Sequence, residues 1–314
     1  MNGSDSAPAR VFANYEILSL LGRGGMAEVF RARVISGPRA DREVALKRLL
    51  PSLAADPGCV DQFTSEADVS RLLDHPNVVR VLEVGVLEDV YFIVMDLVDG
   101  RDLGQILRKC KQGDIHLPVD FAVFLAKVLL DALAYAHEVR GPEGRPLEIV
   151  HCDVSPSNLF ISRTGEIKLG DFGVAKSRLG GGDASALHAK PYYASPELLD
   201  GIVTPDVDLW GATVTLYELI TLERPFCGET PDEVFEAVRA RRYLPPGAVR
   251  PEIPDALDAI VSKGFATRPQ QRFRSAREFA AALEPLLDER VGNPMAIAAV
   301  VRGLFGAGAA PDAA

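Results

Sequence analysis

The main change in hydrophobic spacing along this chain falls beside Asp99-Gly100. Before it, the pattern predicts strands at 15–21, 28–34 and 43–49, a helix at about 60–73, and strands near 79–86 and 91–96. After it, the spacing is helical. Residues 118–138 put Phe121, Phe124, Leu125, Val128, Leu129, Ala132 and Ala136 on one face, a long buried helix that a proline can open. Short strand-like runs at 159–161 and 166–169 flank a Thr-Gly turn, and from 196 onward the chain reads mostly as helix. The expectation is therefore an α+β, bilobal chain: a small β-rich N-lobe at 15–98, a hinge near 96–100, and a larger α-helical C-lobe at 99–288. Residues 1–14 read as a disordered lead, and 289–314 as a C-terminal helix with a mobile tail. There is no internal repeat.

A chain of 314 residues with 47% apolar content can fill a core of this size. Its net charge of −10 argues against a nucleic-acid partner, because nothing in bulk would neutralise phosphates. Cys59, Cys110, Cys152 and Cys227 have no metal-binding spacing and read as free thiols of a reducing cytoplasm. No charged stretch followed by an apolar run opens the chain, and no apolar run reaches the roughly 20 residues of a membrane span. A cytoplasmic protein without membrane insertion is expected.

Three polar groups then stand at informative spacing. Asp153 follows His151, Asn158 comes five residues after Asp153, and Asp171-Phe172-Gly173 lies one short hairpin later. Asp153 can accept a hydroxyl proton, while Asn158 and Asp171 can hold a metal that bridges phosphates. Upstream, Gly22, Gly24 and Gly25 make a glycine-rich turn where backbone N–H groups can approach phosphate oxygens. A strand-like run follows these glycines, so a dinucleotide-binding reading, which needs a helix there, does not apply. Lys47 sits inside an apolar strand. Such a lysine is ordinarily a solvated edge residue, but Glu66 in the following helix offers it a partner.

The glycine loop, Val44-Ala45-Leu46-Lys47, His151 to Asn158, Asp171-Phe172-Gly173 and Ser195-Pro196-Glu197 occur in this order. Together they resemble the protein kinases over about residues 15–288, and the bacterial eukaryotic-like Ser/Thr kinases in particular. The resemblance implies transfer of the γ-phosphoryl of Mg-ATP to a protein substrate. It makes Asp153 the base and Lys47, held by Glu66, the ligand of the α- and β-phosphates. Asn158 and Asp171 become the Mg2+ ligands, and Met95 the gatekeeper. The backbone of Asp96 and Val98 would meet the adenine edge, with Val29, Ala45 and Phe160 against its faces. It further implies that buried Asp208 receives N–H groups of the catalytic loop, and that Glu197 and Arg272 form a buried ion pair.

The chain departs from the family at several positions, beginning with Ala27 in place of the third glycine of the usual loop. Cys152 replaces the usual Arg beside the base. The resemblance then implies activity that does not depend on an activation-loop phosphate, and Cys152 itself reads as a small residue without a redox role. Ser155 replaces the Lys two residues after the catalytic Asp. Ser157 stands where tyrosine kinases carry Arg, so the loop supplies no cation. Lys190 takes the place of a Thr near the end of the activation segment. Two readings of Lys190 stay open: a stem that fills the space left by Ser155, or an exposed lysine facing solvent or substrate. Without a cation the chain reads instead as an ATP-binding pseudokinase, a scaffold or allosteric partner. A small-molecule phosphotransferase is disfavoured by Ser195-Pro196-Glu197 with Arg272. Ser177 and Ser185 are candidate autophosphorylation sites. Ile297, Val300, Val301, Leu304 and Phe305 form a helical stripe that packs on the C-lobe or docks a partner. No sensor-like module is recognisable, which points to a separate regulatory protein or to the tails.

Overall fold

The computed structural model describes residues 10–141, 143–172, 190–288 and 291–306. Strand β4 (Glu43–Leu49) decides where the site forms. Alternation sends Val44 and Leu46 into one cluster, with Tyr15, Val34 and Phe92, and turns Ala45, Lys47 and Leu49 to the opposite face. On that face lies helix α1 (Pro57–Ser70), which contributes Phe63 and Ala67. The remaining strands are β1 (Arg10–Phe12), β2 (Tyr15–Arg23), β3 (Ala27–Val34), β5 (Val81–Leu87) and β6 (Val90–Asp96). They form one antiparallel sheet in the order β1-β2-β3-β4-β6-β5.

Two sequence expectations need correction here. The lead expected to be disordered contains β1, which pairs with β2. Its Phe12 ring lies 5.4 Å from Phe92, and the Arg48 guanidinium lies over Phe12 at 5.1 Å and over Phe30 at 4.4 Å. A three-residue strand is too short to show alternation. Helix α1 also begins earlier than expected, because Asp56 caps the N–H groups of Gly58 and Cys59 and Pro57 opens the first turn.

Past the hinge, β7 (Gly100–Asp102), β8 (Leu159–Ser162) and β9 (Ile167–Leu169) make a second small sheet. Helices α2 (Leu103–Gly113), α3 (Val119–Glu138), α4 (Pro196–Leu199) and α5 (Pro205–Thr221) follow the expected helical spacing. So do α6 (Pro231–Arg239), α7 (Pro246–Val249), α8 (Asp255–Gly264), α9 (Ala276–Leu283) and α10 (Pro294–Phe305). Six of the seven residues expected on the buried face of α3 are buried; Phe124 is half-buried against the same core. A backbone seam also joins the lobes: Val79 N donates to Leu169 O and Leu169 N to Asn77 O, each at 2.8 Å. No helix among the described residues is long and apolar enough to cross a membrane.

The apolar stripe of α10 packs on the C-lobe. Ile297, Ala298 and Val301 are buried, and Arg101 lies over the Phe305 ring at 5.0 Å. The expected mobile tail, 307–314, and residues 1–9 of the lead lie outside the described residues. The β8–β9 turn admits α10 only because residue 165 is glycine. Gly165 has φ +91, and a Cβ there would come within 2.0 Å of Pro294 O. Gly165→Ala should therefore cost about 1–3 kcal/mol and lower the thermal midpoint by several degrees in a melting experiment.

Candidate active site

The loop from His151 to Asn158 hangs from one carboxylate. Asp208, in the first turn of α5, has no exposed surface. Its Oδ2 accepts the N–H of His151 and its Oδ1 that of Cys152, both at 2.8 Å. His137 Nε2, at the end of α3, bonds Oδ2 at 2.8 Å as well. Cys152 sits at φ +68, a left-handed conformation that costs a non-glycine residue about 1–2 kcal/mol. The charge-assisted bonds to Asp208 offset that strain. The Cys152 side chain packs with Val150, Ala194, Leu198 and Val207. An apolar cluster thus joins this loop to the Ser195-Pro196-Glu197 region.

So held, the loop aims Asp153. Its Oδ2 accepts from Asn158 Nδ2 at 2.9 Å and from Lys190 Nζ at 2.8 Å. Its Oδ1 is buried and has no hydrogen-bond partner among the described residues. Asn158 Nδ2 also donates to Asp153 O at 2.7 Å, which leaves the amide oxygen as the atom able to meet a cation. Lys190 Nζ makes a second bond, to Ser155 Oγ at 2.9 Å. Lys190, Asp153 and Ser155 are therefore in direct contact.

Across the cleft, Lys47 Nζ bonds Glu66 Oε1 at 2.5 Å and Asp171 Oδ1 at 2.8 Å. Burial alone would lower the lysine pKa, but the charges of Asp171 and Glu66 outweigh it and hold it above its ordinary value. The Lys47 charge in turn holds Asp171 down at about 2, against the opposing effect of burial. Phe172 is buried beside the His151 ring, 4.5 Å away, while Asp171 at φ +63 turns its carboxylate back to Lys47.

The expected nucleotide residues share a wall. Val29 pairs with Lys47 and Met95 with Ala45, so these side chains lie on one face of the sheet. Phe160 comes from β8 below, where a Cβ at Gly170 would lie 3.0 Å from its ring. The N–H of Asp96 is donated to Arg80 O at 2.9 Å, so its backbone can meet a ligand only through the carbonyl. Val98 is half-buried between β6 and β7. Nothing lies within 4 Å of a Cβ placed on Gly22 or Gly25, and Gly24 N closes the turn onto Ala27 O at 2.9 Å. Neither positive φ nor protein packing demands glycine at 22 or 25. Gly173, Ser177 and Ser185 lie outside the described residues.

Arg272 is fully buried and pairs with both carboxylate oxygens of Glu197; its guanidinium lies over Trp210 at 4.8 Å. Sequence reasoning missed His137, and missed the cluster of Tyr193, Glu218 and Arg224 beside Lys190. Tyr193 OH donates to Glu218 Oε2 at 2.7 Å. His137 follows Leu130, Leu133 and Ala134 at helical spacing, and a polar residue on that apolar stripe was its signal. Nothing local marked the cluster.

Residues 15–282 match the family model described as Protein kinase domain. The tyrosine-protein kinase MasK of Myxococcus xanthus is 36% identical over 94% of this chain and 46% of its own length. The serine/threonine-protein kinase PrkC of Bacillus subtilis is 32% identical over 89% of this chain and 41% of its own. The chain thus spans less than half the length of these relatives. The crystal structure of the Mycobacterium tuberculosis PknI kinase domain superposes with a TM-score of 0.66 at 29% identity, covering 89% of this chain and 99% of that one.

The Glu197–Arg272 geometry sets a stability expectation. Glu197→Ala strands a guanidinium without exposed surface and should cost about 3–5 kcal/mol in denaturant unfolding. Replacing both residues by apolar ones of similar volume should recover most of that loss.

Proposed function

The chain belongs to the protein kinase domain family, and from that premise we propose that it transfers the γ-phosphoryl of Mg-ATP to Ser or Thr hydroxyls of a protein. The observation that carries this reading is the Asp153 carboxylate. One oxygen is held by Asn158 and Lys190, and the other is buried without a partner among the described residues. The Asp153 side chain keeps 14% of its surface exposed, so a hydroxyl brought into the cleft can reach the carboxylate and donate to it. Asp153 then orients the hydroxyl and takes its proton. Lys47, fixed by Glu66, holds the α- and β-phosphates under Gly22, Gly24 and Gly25. Met95, Asp96, Val98, Val29, Ala45 and Phe160 bind the adenine.

Asp171 and Asn158 offer hard oxygen donors, and the depressed Asp171 pKa keeps its carboxylate ionised, so the pair fits Mg2+. When bound, Mg2+ supplies neutralisation of the phosphate charge. The bond from Lys190 Nζ to Ser155 Oγ supports a moved cation: Lys190 supplies, from the activation segment, the charge that the loop lacks. Packing of Cys152 against Ala194 and Leu198 supports a catalytic loop seated without an activation-loop phosphate. The free thiols suit a reducing cytoplasm. Regulatory input is assigned to a separate protein or to segments outside the kinase core.

Labelled ATP with a generic protein substrate tests the reading. Asp153→Ala should lower incorporation by about 10²–10⁴-fold, with label recovered on Ser or Thr. Equal incorporation by wild type and variant would leave the pseudokinase, and label on Tyr alone would overturn the hydroxyl assignment in favour of the activity named for MasK. The moved cation has its own test. Lys190→Ala should lower kcat by about 10²–10³-fold, and Ser155→Lys in that background should restore at least about tenfold. An unchanged kcat, or no rescue, rejects the relocation.

A further inference from the structure

A protein that presents a hydroxyl to Asp153 must lay its flanking chain on the surface beside Lys190. That surface is a groove of about 450 Å3 between α2, the catalytic loop and the end of α5. Its charged lining is Arg108, Lys111, Lys190 and Arg224 against Glu218 and Glu223. The two carboxylates are already engaged. Glu218, 7% exposed, accepts from Tyr193 OH on Oε2 and pairs with Arg224 Nε at 3.3 Å through Oε1. Arg224 is itself stacked on the Tyr192 ring at 3.9 Å. Glu223 pairs with Lys111 at 2.7 Å, an exposed pair that opens at little cost. Arg108 is exposed on α2, acts on Asp102 only through space, and forms no ion pair among the described residues. Counted with Asp153, which holds Lys190, the groove carries four cations against three carboxylates, and Arg108 is the cation left outside an ion pair among the described residues.

We propose that this groove selects substrates with an acidic side chain near the acceptor hydroxyl, with Arg108 as the cation that reads it. The Arg224–Glu218 pair is the element that turns basic substrates away, because an incoming Arg or Lys meets Arg224 where it needs Glu218. The inference rests on the kinase reading and adds the substrate class to it.

The test is a positional set of peptides with one serine and with Asp, Ala or Arg at each position within about three residues of it. At one or more positions, kcat/KM should favour Asp over Ala by about fivefold and place Arg below Ala, the range of a partly exposed ion pair. Arg108→Ala should erase the Asp preference. Arg224→Ala, at a side chain 46% exposed, should raise the Arg peptide relative to the Ala peptide by about fivefold. Equal rates across the set, or a wild-type preference for Arg, overturn the proposal. If no peptide is phosphorylated, the kinase reading fails by itself. Fluorescence anisotropy of the same peptides then decides: tighter binding of the Asp peptide sustains the groove assignment, and equal affinities overturn it.

Discussion

A single buried carboxylate, Asp208, carries the rest of the site. It stands on α5, whose residues from Val207 to Thr221 are all buried, so its position is fixed by the C-lobe core rather than by solvent-facing contacts. From there it takes two consecutive backbone N–H groups and one imidazole. Two consecutive N–H groups can point at one carboxylate only if the backbone turns sharply, and Cys152 at φ +68 makes that turn. The turn delivers Asp153 to the cleft. A core helix thereby sets the position of the Asp153 carboxylate through the two backbone N–H groups that precede it.

The cleft balances charge across its two walls. Lys47 bridges Glu66 of α1 and Asp171 of the C-lobe, so helix, sheet and C-lobe meet at one ammonium. Half of the Asp171 side chain is exposed, so solvent screens that contact more than the one to Glu66. On the other wall the ammonium beside Asp153 is that of Lys190, outside the loop from His151 to Asn158.

Much of this was legible in the sequence, because the spacing of apolar residues fixes which strand face a side chain takes. Lys47 reaches Glu66 through simple alternation, and the β-then-α order follows from the change of period at Asp99-Gly100. The Lys190–Ser155 contact was open as one of two readings; its partners lie 35 residues apart, and no local rule chooses between a stem that folds inward and one that faces water. Strand β1 was hidden because Phe12 gains its place from Phe92 and Arg48, far along the chain. The groove charges were hidden for the same reason. Arg224 and Glu218 look like ordinary helix-end residues until Tyr193 is brought between them and the acceptor site.

Lys190 to Tyr193 form one short turn, closed by Tyr193 N donating to Lys190 O at 2.9 Å. Its first residue touches the Asp153 carboxylate, and its last anchors the groove through Glu218. In the proposed phosphoryl transfer, fit and speed are thus mechanically joined. A substrate that displaces the groove wall also withdraws the ammonium from Asp153, so a poor match is penalised in turnover as well as in affinity. Discrimination then persists at saturating substrate, where selection by binding alone would fade.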